Sequence, residues 1–373
     1  MDRIQKNYII KDLTNKMVFI VGPRQSGKTW LARKVAEHYK QPVYLNYDAT
    51  EDRRIIQDEA WLDTTDLLIL DELHKMPDWK NFLKGVYDTK PNSMHILVTG
   101  SARLDVYREL GDSLAGRYFL HHLLPLSAAE LKQLGKKVEL TQLITRSGFP
   151  EPYLAENLIE AERWRMQYIN SLLGTDVLEF DNIKNLSALK TVFELLRHRV
   201  GSPISYSSIA EDVNISSTTV KRYIDIFKAL YIVFTIHPYS KNIARSLLKE
   251  PKIYFFDTGL VKGNSGASFE NLVALSLLKS LYGQKDYLAK PYELKYLRTK
   301  DQREVDFAIV CDDKIETLVE AKTSDKDISP ELRYFCDNYN LTGIQVVHKL
   351  KHEYQQNNIT VKRAENFLET LFL

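Results

Sequence analysis

The sequence predicts an α/β chain: an N-terminal parallel sheet with helices on both faces, then a helical segment, a three-helix unit with a hairpin, and a second α/β unit. Three observations carry this expectation. Short apolar runs alternate with stretches of helical spacing from Met17 to Leu124, as they do where strands are buried on both faces and joined by helices. A glycine-rich turn, Gly22 to Thr29, separates the first apolar run from the first helical stretch. Finally, 373 residues are too many for one ordinary core, so the chain should divide into domains.

The elements follow in order. Met17 to Val21 reads as a strand and Trp30 to Tyr39 as a helix; Val43 to Tyr47, Leu67 to Leu70, His95 to Thr99 and Tyr118 to Leu124 read as further strands. After Pro125 the pattern turns helical, with Ser127 as N-cap and Glu130 three residues on. A break at Gly148-Phe149-Pro150-Glu151-Pro152 precedes a helix over Leu158 to Leu173, which reads as a helical lid. Helices at Ala188 to Val200, Ser207 to Val213 and Ser216 to Leu230, then a strand at Tyr231 to His237, form a winged-helix pattern. From Gly263 on, an amphipathic helix (Phe269 to Tyr282) leads to strands at Glu293 to Leu297, Glu304 to Val310, Thr317 to Ala321 and Gly343 to Val347. The expected domains are therefore 1–125, 126–185, 186–262 and 263–373.

Composition narrows the class. Hydrophobic residues at 44% and charged residues at 27% are the mix of a soluble globular protein. A net charge of +2 restricts any nucleic-acid surface to a local patch. Two cysteines, Cys311 and Cys336, fit neither a disulfide framework nor a zinc site. The longest apolar run, Ala229 to Ile236, falls well short of the ~20 residues of a membrane span. The opening residues lack the apolar stretch of a signal peptide, so a cytoplasmic location without a membrane partner is expected.

The turn after the first strand, Gly22-Pro23-Arg24-Gln25-Ser26-Gly27-Lys28-Thr29, fits G-x-x-x-x-G-K-T without deviation. Its glycines let backbone N–H groups turn inward onto phosphate oxygens, Lys28 supplies charge to the β and γ phosphates, and Thr29 offers a hydroxyl to Mg2+. The following helix adds its positive end. This P-loop predicts ATP as the bound nucleotide. Leu67 to Leu70 ends in Asp71 and Glu72, so Asp71 should hold the magnesium and Glu72 should orient or activate the attacking water. Thr99 or Ser101, at the end of the His95 strand, is the candidate polar sensor. Arg117 is the candidate arginine finger, acting from an exposed turn on a neighbouring subunit, with Arg103 as its rival.

These residues resemble a known group, AAA-type ATPases that carry a C-terminal domain of unknown function. Besides the P-loop, the resemblance rests on Leu70-Asp71-Glu72-Leu73-His74-Lys75, Thr99-Gly100-Ser101-Ala102, Leu114-Ala115-Gly116-Arg117 and Gly148-Phe149-Pro150-Glu151. It continues through Pro251 to Leu260 and Glu304-Val305-Asp306-Phe307, almost the whole chain. It implies a bacterial or archaeal cytosolic ATPase that works as a nucleotide-dependent homo-oligomer, and it favours the finger role for Arg117.

Two further constellations point beyond nucleotide chemistry. In the third helix of the winged-helix pattern, Ser217, Thr218, Lys221 and Arg222 should lie on the exposed face, with Lys241, Arg245, Lys249 and Lys252 adding charge near the wing. Such a surface suits phosphate contacts on duplex DNA. In the last region Asp306 at a strand start and Glu320-Ala321-Lys322 on the next strand reproduce the PD-(D/E)xK pattern of restriction-endonuclease-like folds, with Val305 where that pattern often has proline. Asp306 and Glu320 could ligate magnesium, Glu270 could reach in from its helix, and Lys322 would serve as the catalytic lysine.

The expectation is an ATPase that couples nucleotide state to a DNA-binding winged helix and a nuclease-like end. The alternative is an ATP-dependent switch or scaffold that recruits a protein partner, with a silent nuclease fold. An unfoldase would need a pore-loop aromatic, for which Trp79 and Tyr87 are the candidates.

Overall fold

The computed structural model describes residues 2–100, 114–180, 183, 185–240, 250–324 and 327–373. Ser101, Arg103, Lys241, Arg245 and Lys249 lie outside the described residues. The chain divides into two compact units, Met1–Leu124 with Ala229–Tyr231, and Pro125–Lys228 with Ile232–Leu373.

In the first unit, β1 (Met17–Val21), β2 (Pro42–Asn46), β3 (Leu67–Asp71), β4 (His95–Thr99) and β5 (Tyr118–His122) form one sheet in the order β2-β3-β4-β1-β5. Every pairing is parallel. β1 and β3 are buried along their whole length, as their unbroken apolar runs require when helices cover both faces. Those helices are α1 (Gln5–Leu13), α2 (Lys28–Ala36), α3 (Thr50–Gln57) and α4 (Trp79–Thr89). One face packs Phe19, Leu68, Leu70, Leu83 and Val98; the other packs Ile9, Ile20, Leu31, Val35 and Leu97. Trp79 and Tyr87 belong to the first of these cores. Both lie on α4, Trp79 buried and Tyr87 half-buried against that core, so neither of these two stands on an exposed loop.

The second unit begins with α5 (Ala128–Gln133), α6 (Leu140–Thr145), α7 (Pro150–Leu154), α8 (Leu158–Ser171) and α9 (Val177–Phe180). Ser127 caps α5 by accepting from the Glu130 N–H. Next come α10 (Leu186–Arg197), α11 (Tyr206–Val213) and α12 (Ser217–Ala229), then β6 (Val233–Pro238) paired antiparallel with β7 (Lys252–Phe255). α11 ends at Asn214 in the left-handed conformation, which turns the chain sharply into α12.

After the long α13 (Ser265–Leu288) come β8 (Glu293–Arg298), β9 (Glu304–Cys311), β10 (Lys314–Ser324), α14 (Pro330–Tyr339), β11 (Gly343–Lys349), β12 (Tyr354–Gln356), β13 (Ile359–Arg363) and α15 (Ala364–Glu369). The β6–β7 hairpin joins these strands: β6 pairs in parallel with β8. The result is an eight-stranded mixed sheet, β12-β13-β11-β10-β9-β8-β6-β7. Among the described residues no helix is long and apolar enough to cross a membrane.

Candidate functional sites

The strand register assembles the phosphate site. Ile20 pairs with Thr99 and Thr99 with Asp71, so the carboxyl ends of β1, β4 and β3 lie side by side beneath the loop that follows Val21. The loop needs its glycines. Gly22 has φ +148°, and a Cβ there would sit 2.3 Å from the Leu123 carbonyl oxygen. Gly27, at φ 94°, precedes α2, whose first turn has no side-chain cap and so leaves its N–H groups for a ligand. Arg3 braces the loop from behind, donating to the carbonyls of Ser26 (2.8 Å) and Leu124 (2.6 Å). Arg24 and Gln25 stand exposed at the loop tip, while Pro23 and Ser26 are buried.

Asp71 is the hub. Its carboxylate accepts from Thr29 Oγ1 (2.8 Å), Tyr44 Oη (2.6 Å), the Glu72 N–H (3.1 Å) and Thr99 Oγ1. Thr99, read from sequence as a sensor, thus spends its hydroxyl on Asp71. Glu72 adopts left-handed φ 56° and donates its N–H to the Thr99 carbonyl (3.0 Å), which lifts its side chain out of the strand line. Burial raises the Glu72 carboxyl above its ordinary pKa, against the pull of Lys28. The His74 imidazole stands 3.6 Å from the Glu72 carboxylate. Lys28 is buried, donates to the carbonyls of Gly22 (3.0 Å) and Pro23 (2.7 Å), and is pulled down to about 8 by that burial.

Do these residues fit magnesium and nucleotide? Ser26 Oγ is buried with no hydrogen-bond partner, an orphan that a phosphate oxygen would satisfy. A hydroxyl and a carboxylate 2.8 Å apart are the hard oxygen donors that Mg2+ takes. They fit. Tyr44 and Arg3 are the participants that motif reading missed, while His74 belongs to the Leu70 to Lys75 motif without a role assigned there. The β2–β3 register brings in Tyr44, and Arg3 arrives from the residues before α1; no local signal marks either.

Arg117 precedes β5 and lies at the other end of the sheet, its carbonyl accepting from the Met17 N–H where β1 begins. Its guanidinium forms a two-pronged pair with Asp88 (2.9 and 3.0 Å).

In the second unit Ser217, Thr218, Lys221 and Arg222 are all exposed on α12, while Val220, Tyr223, Ile224 and Phe227 are buried. Lys252 departs from the expectation. It is 1% exposed, with its ammonium 2.9 Å from Glu304, 3.3 Å from Asp306 and 3.4 Å from Glu270, and adds nothing to a basic surface. Burial works against its charge, yet Asp306, Glu270 and Glu304 hold its pKa above the ordinary value.

Glu270, Asp306 and Glu320 do converge. Alternation along β10 sets Lys322 on Glu320 at 2.7 Å, as the E-x-K spacing requires. Burial, then the neighbouring Asp306, pushes the Glu270 carboxyl up to about 8 and the Glu320 carboxyl up to about 7. Their geometry differs from the magnesium centre that the pattern predicts. Among the described residues no three His, Cys, Asp or Glu side chains are arranged to hold a metal ion; here Glu270 and Asp306 close on Lys252, and Glu320 on Lys322. As placed, these residues do not fit a divalent cation.

The parallel sheet, the P-loop and the Asp71 hub make up a P-loop nucleotide-binding unit. Residues 14–132 match the family model described as AAA domain. Residues 137–270 and 265–367 match two models described as domains of unknown function. The chain is 25% identical over 360 residues to an uncharacterised protein of Mycobacterium tuberculosis, covering 92% of this chain and 79% of that one. It is 26% identical over 363 residues to one of Methanocaldococcus jannaschii, covering 87% and 79%. Among solved structures, a Walker-type ATPase of Pyrococcus abyssi aligns with 12% identity and TM-score 0.44, over 70% of this chain and 94% of that one. The RuvB Holliday junction branch migration motor of Thermotoga maritima aligns with 16% identity and TM-score 0.33, over 62% and 87%.

Proposed function

We propose that this protein is a magnesium-dependent ATPase that converts ATP to ADP and phosphate, and that its nucleotide state governs a second unit able to engage duplex DNA. The observation that carries the first half is the Asp71 hub: one carboxylate ties the P-loop threonine, a strand-end threonine and the Glu72 backbone into a single preformed site.

Thr29 and Asp71 would hold magnesium, which would supply neutralising charge to the nucleotide's phosphates. Lys28 and the N–H groups of Gly22 to Thr29 bind the phosphates. Glu72 orients the attacking water and takes its proton, and its raised pKa brings a carboxylate nearer to the strength a general base needs. The Thr99 bond to Asp71 makes Thr99 a positioning residue for the metal side of the site.

The test is turnover and nucleotide affinity in two variants of the full chain. Lys28→Ala should weaken nucleotide binding. Glu72→Gln should keep binding while turnover falls by about two to four orders of magnitude. Wild-type turnover in both variants, in preparations free of other ATPases, would sink the assignment.

The duplex-DNA half is supported by the exposed Ser217, Thr218, Lys221 and Arg222 face of α12, the last helix of a three-helix and hairpin unit. Those four side chains offer two cations and two hydroxyls to phosphates on one helix face.

A further inference from the structure

We propose that Lys252 is the resident cation of the C-terminal acidic cluster: its ammonium occupies the place among Glu270, Glu304 and Asp306 that a divalent ion would take. This goes beyond the ATPase reading and does not depend on it.

A lysine ammonium has three N–H donors and no acceptor. Three carboxylate oxygens, from Glu304, Asp306 and Glu270, lie 2.9, 3.3 and 3.4 Å from the Lys252 nitrogen, so donors and acceptors match one to one. The strands fix this placement. Lys252 and Tyr254 share a face of β7 by alternation, and the Tyr254 hydroxyl donates to the same Glu270 oxygen at 2.7 Å. The ring of Tyr296 lies 5.6 Å from the ammonium, and the side chain is 1% exposed.

The remaining oxygens of Asp306, Glu304 and Glu320 have partners of their own. Asp306 Oδ2 accepts the Ala321 N–H (3.0 Å). Glu320 accepts from Lys322 (2.7 Å) with one oxygen and from the Asp306 N–H (3.2 Å) with the other. The second oxygen of Glu304 lies 3.4 Å from the Arg298 guanidinium. On the far side the backbone closes in: a Cβ on Gly201 would sit 2.7 Å from a Glu270 oxygen.

Mg2+ demands near-octahedral oxygen at about 2.0–2.1 Å. It could enter only by stripping Asp306 and Glu270 from Lys252, and a buried ammonium left with Glu304 alone beside a dication would be short of partners and repelled. Metal and lysine therefore exclude each other here. The nuclease-like carboxylates serve to tie β7, β9 and α13 together through one ammonium.

The test is Mn2+ binding, read from loss of the free-ion electron paramagnetic resonance signal, with nucleotide-free full-length protein. Wild type and Asp306→Asn should give the same titration. One Mn2+ per wild-type chain that disappears in Asp306→Asn would overturn the proposal. Lys252→Met, which vacates the centre and leaves three carboxylates, should gain one Mn2+ site about tenfold or more tighter than any in wild type. That site should vanish in Lys252→Met/Asp306→Asn. A folded Lys252→Met chain with no gained site would also overturn the proposal. Should Lys252→Met fail to fold, the wild-type and Asp306→Asn pair decides alone.

Discussion

Lys28 sits at the base of the P-loop with its ammonium on the carbonyls of Gly22 and Pro23, and burial pulls its pKa from 10.5 to about 8. A buried cation that awaits an anion is poised to take up a proton when the anion arrives. Polyphosphate favours the charged lysine, so bound nucleotide should lift that pKa, and affinity should fall as pH rises through 8. The stability of the nucleotide-free chain runs the other way. Its folded-state pKa lies below the unfolded value, so the unfolded chain binds more protons between about 8 and 10.5, and this contribution favours folding as pH rises across that window. Calorimetric titration of nucleotide slightly above pH 8, in two buffers of different ionisation enthalpy, should record net proton uptake. Identical enthalpies in the two buffers would mean no net proton uptake, and Lys28 would keep one protonation state throughout. Asp71 makes a second residue-scale point. Its four partners come from the P-loop, β2, β4 and its own strand neighbour, and only Glu72 is near it in sequence: Thr29, Tyr44 and Thr99 lie 42, 27 and 28 residues away.

At the scale of elements, the segment Asp257-Thr258-Gly259-Leu260 shows what a family motif can be for. Asp257 is fully buried, pairs with Arg165 of α8 at 2.9 Å and caps the Gly259 N–H at 3.0 Å. Thr258 donates to the Leu143 carbonyl at the end of α6 (2.5 Å). The motif is a latch between two helices and the turn after β7. Asp257→Ala would leave the Arg165 charge buried and short of its main partner, a loss of about 3–5 kcal/mol. Thermal melting of the full chain should show it, and a melting point within a degree or so of wild type would remove the latch. The α12 face calls for a different measurement. If Lys221 and Arg222 each neutralise a phosphate, Lys221→Ala/Arg222→Ala should weaken duplex binding across sequences and reduce the salt slope by about 2. An unchanged slope would instead favour a protein partner for this helix. Legibility differs between these cases for a physical reason. The strands at 17–21, 67–71 and 95–99 were readable because a strand buried on both faces must be apolar throughout, and α12 because its burial repeats at helical spacing. Lys252 was not. Its neighbours Ile253, Tyr254 and Phe255 look like any strand, and the carboxylates that bury it arrive from 18 to 54 residues away through pairings that no local pattern encodes.

At the scale of the whole molecule, Arg117 turns a local distance into a statement about assembly. Its backbone is bonded to Met17, where β1 starts, whereas the P-loop follows Val21 at the other end. Four steps of strand at about 3.3 Å each separate the two ends, and its guanidinium is already held by Asp88 on α4. Arg117 therefore cannot serve the phosphates of its own chain. If it neutralises transition-state charge at all, it does so at the P-loop of a neighbouring copy, with the Asp88 pair as its resting place. Complementation tests this. Arg117→Ala retains an intact P-loop and Lys28→Ala retains an intact arginine, so each variant alone should be nearly inactive. Mixed in equal amounts they should recover turnover, because some contacts then bring a sound loop to a sound finger. An arginine finger is worth about 10³–10⁵ in rate, so even a minority of such contacts should stand clear of the background. Mixed assemblies, demonstrated by differently tagged chains, that stay as inactive as either parent would leave Arg117 as half of a surface ion pair.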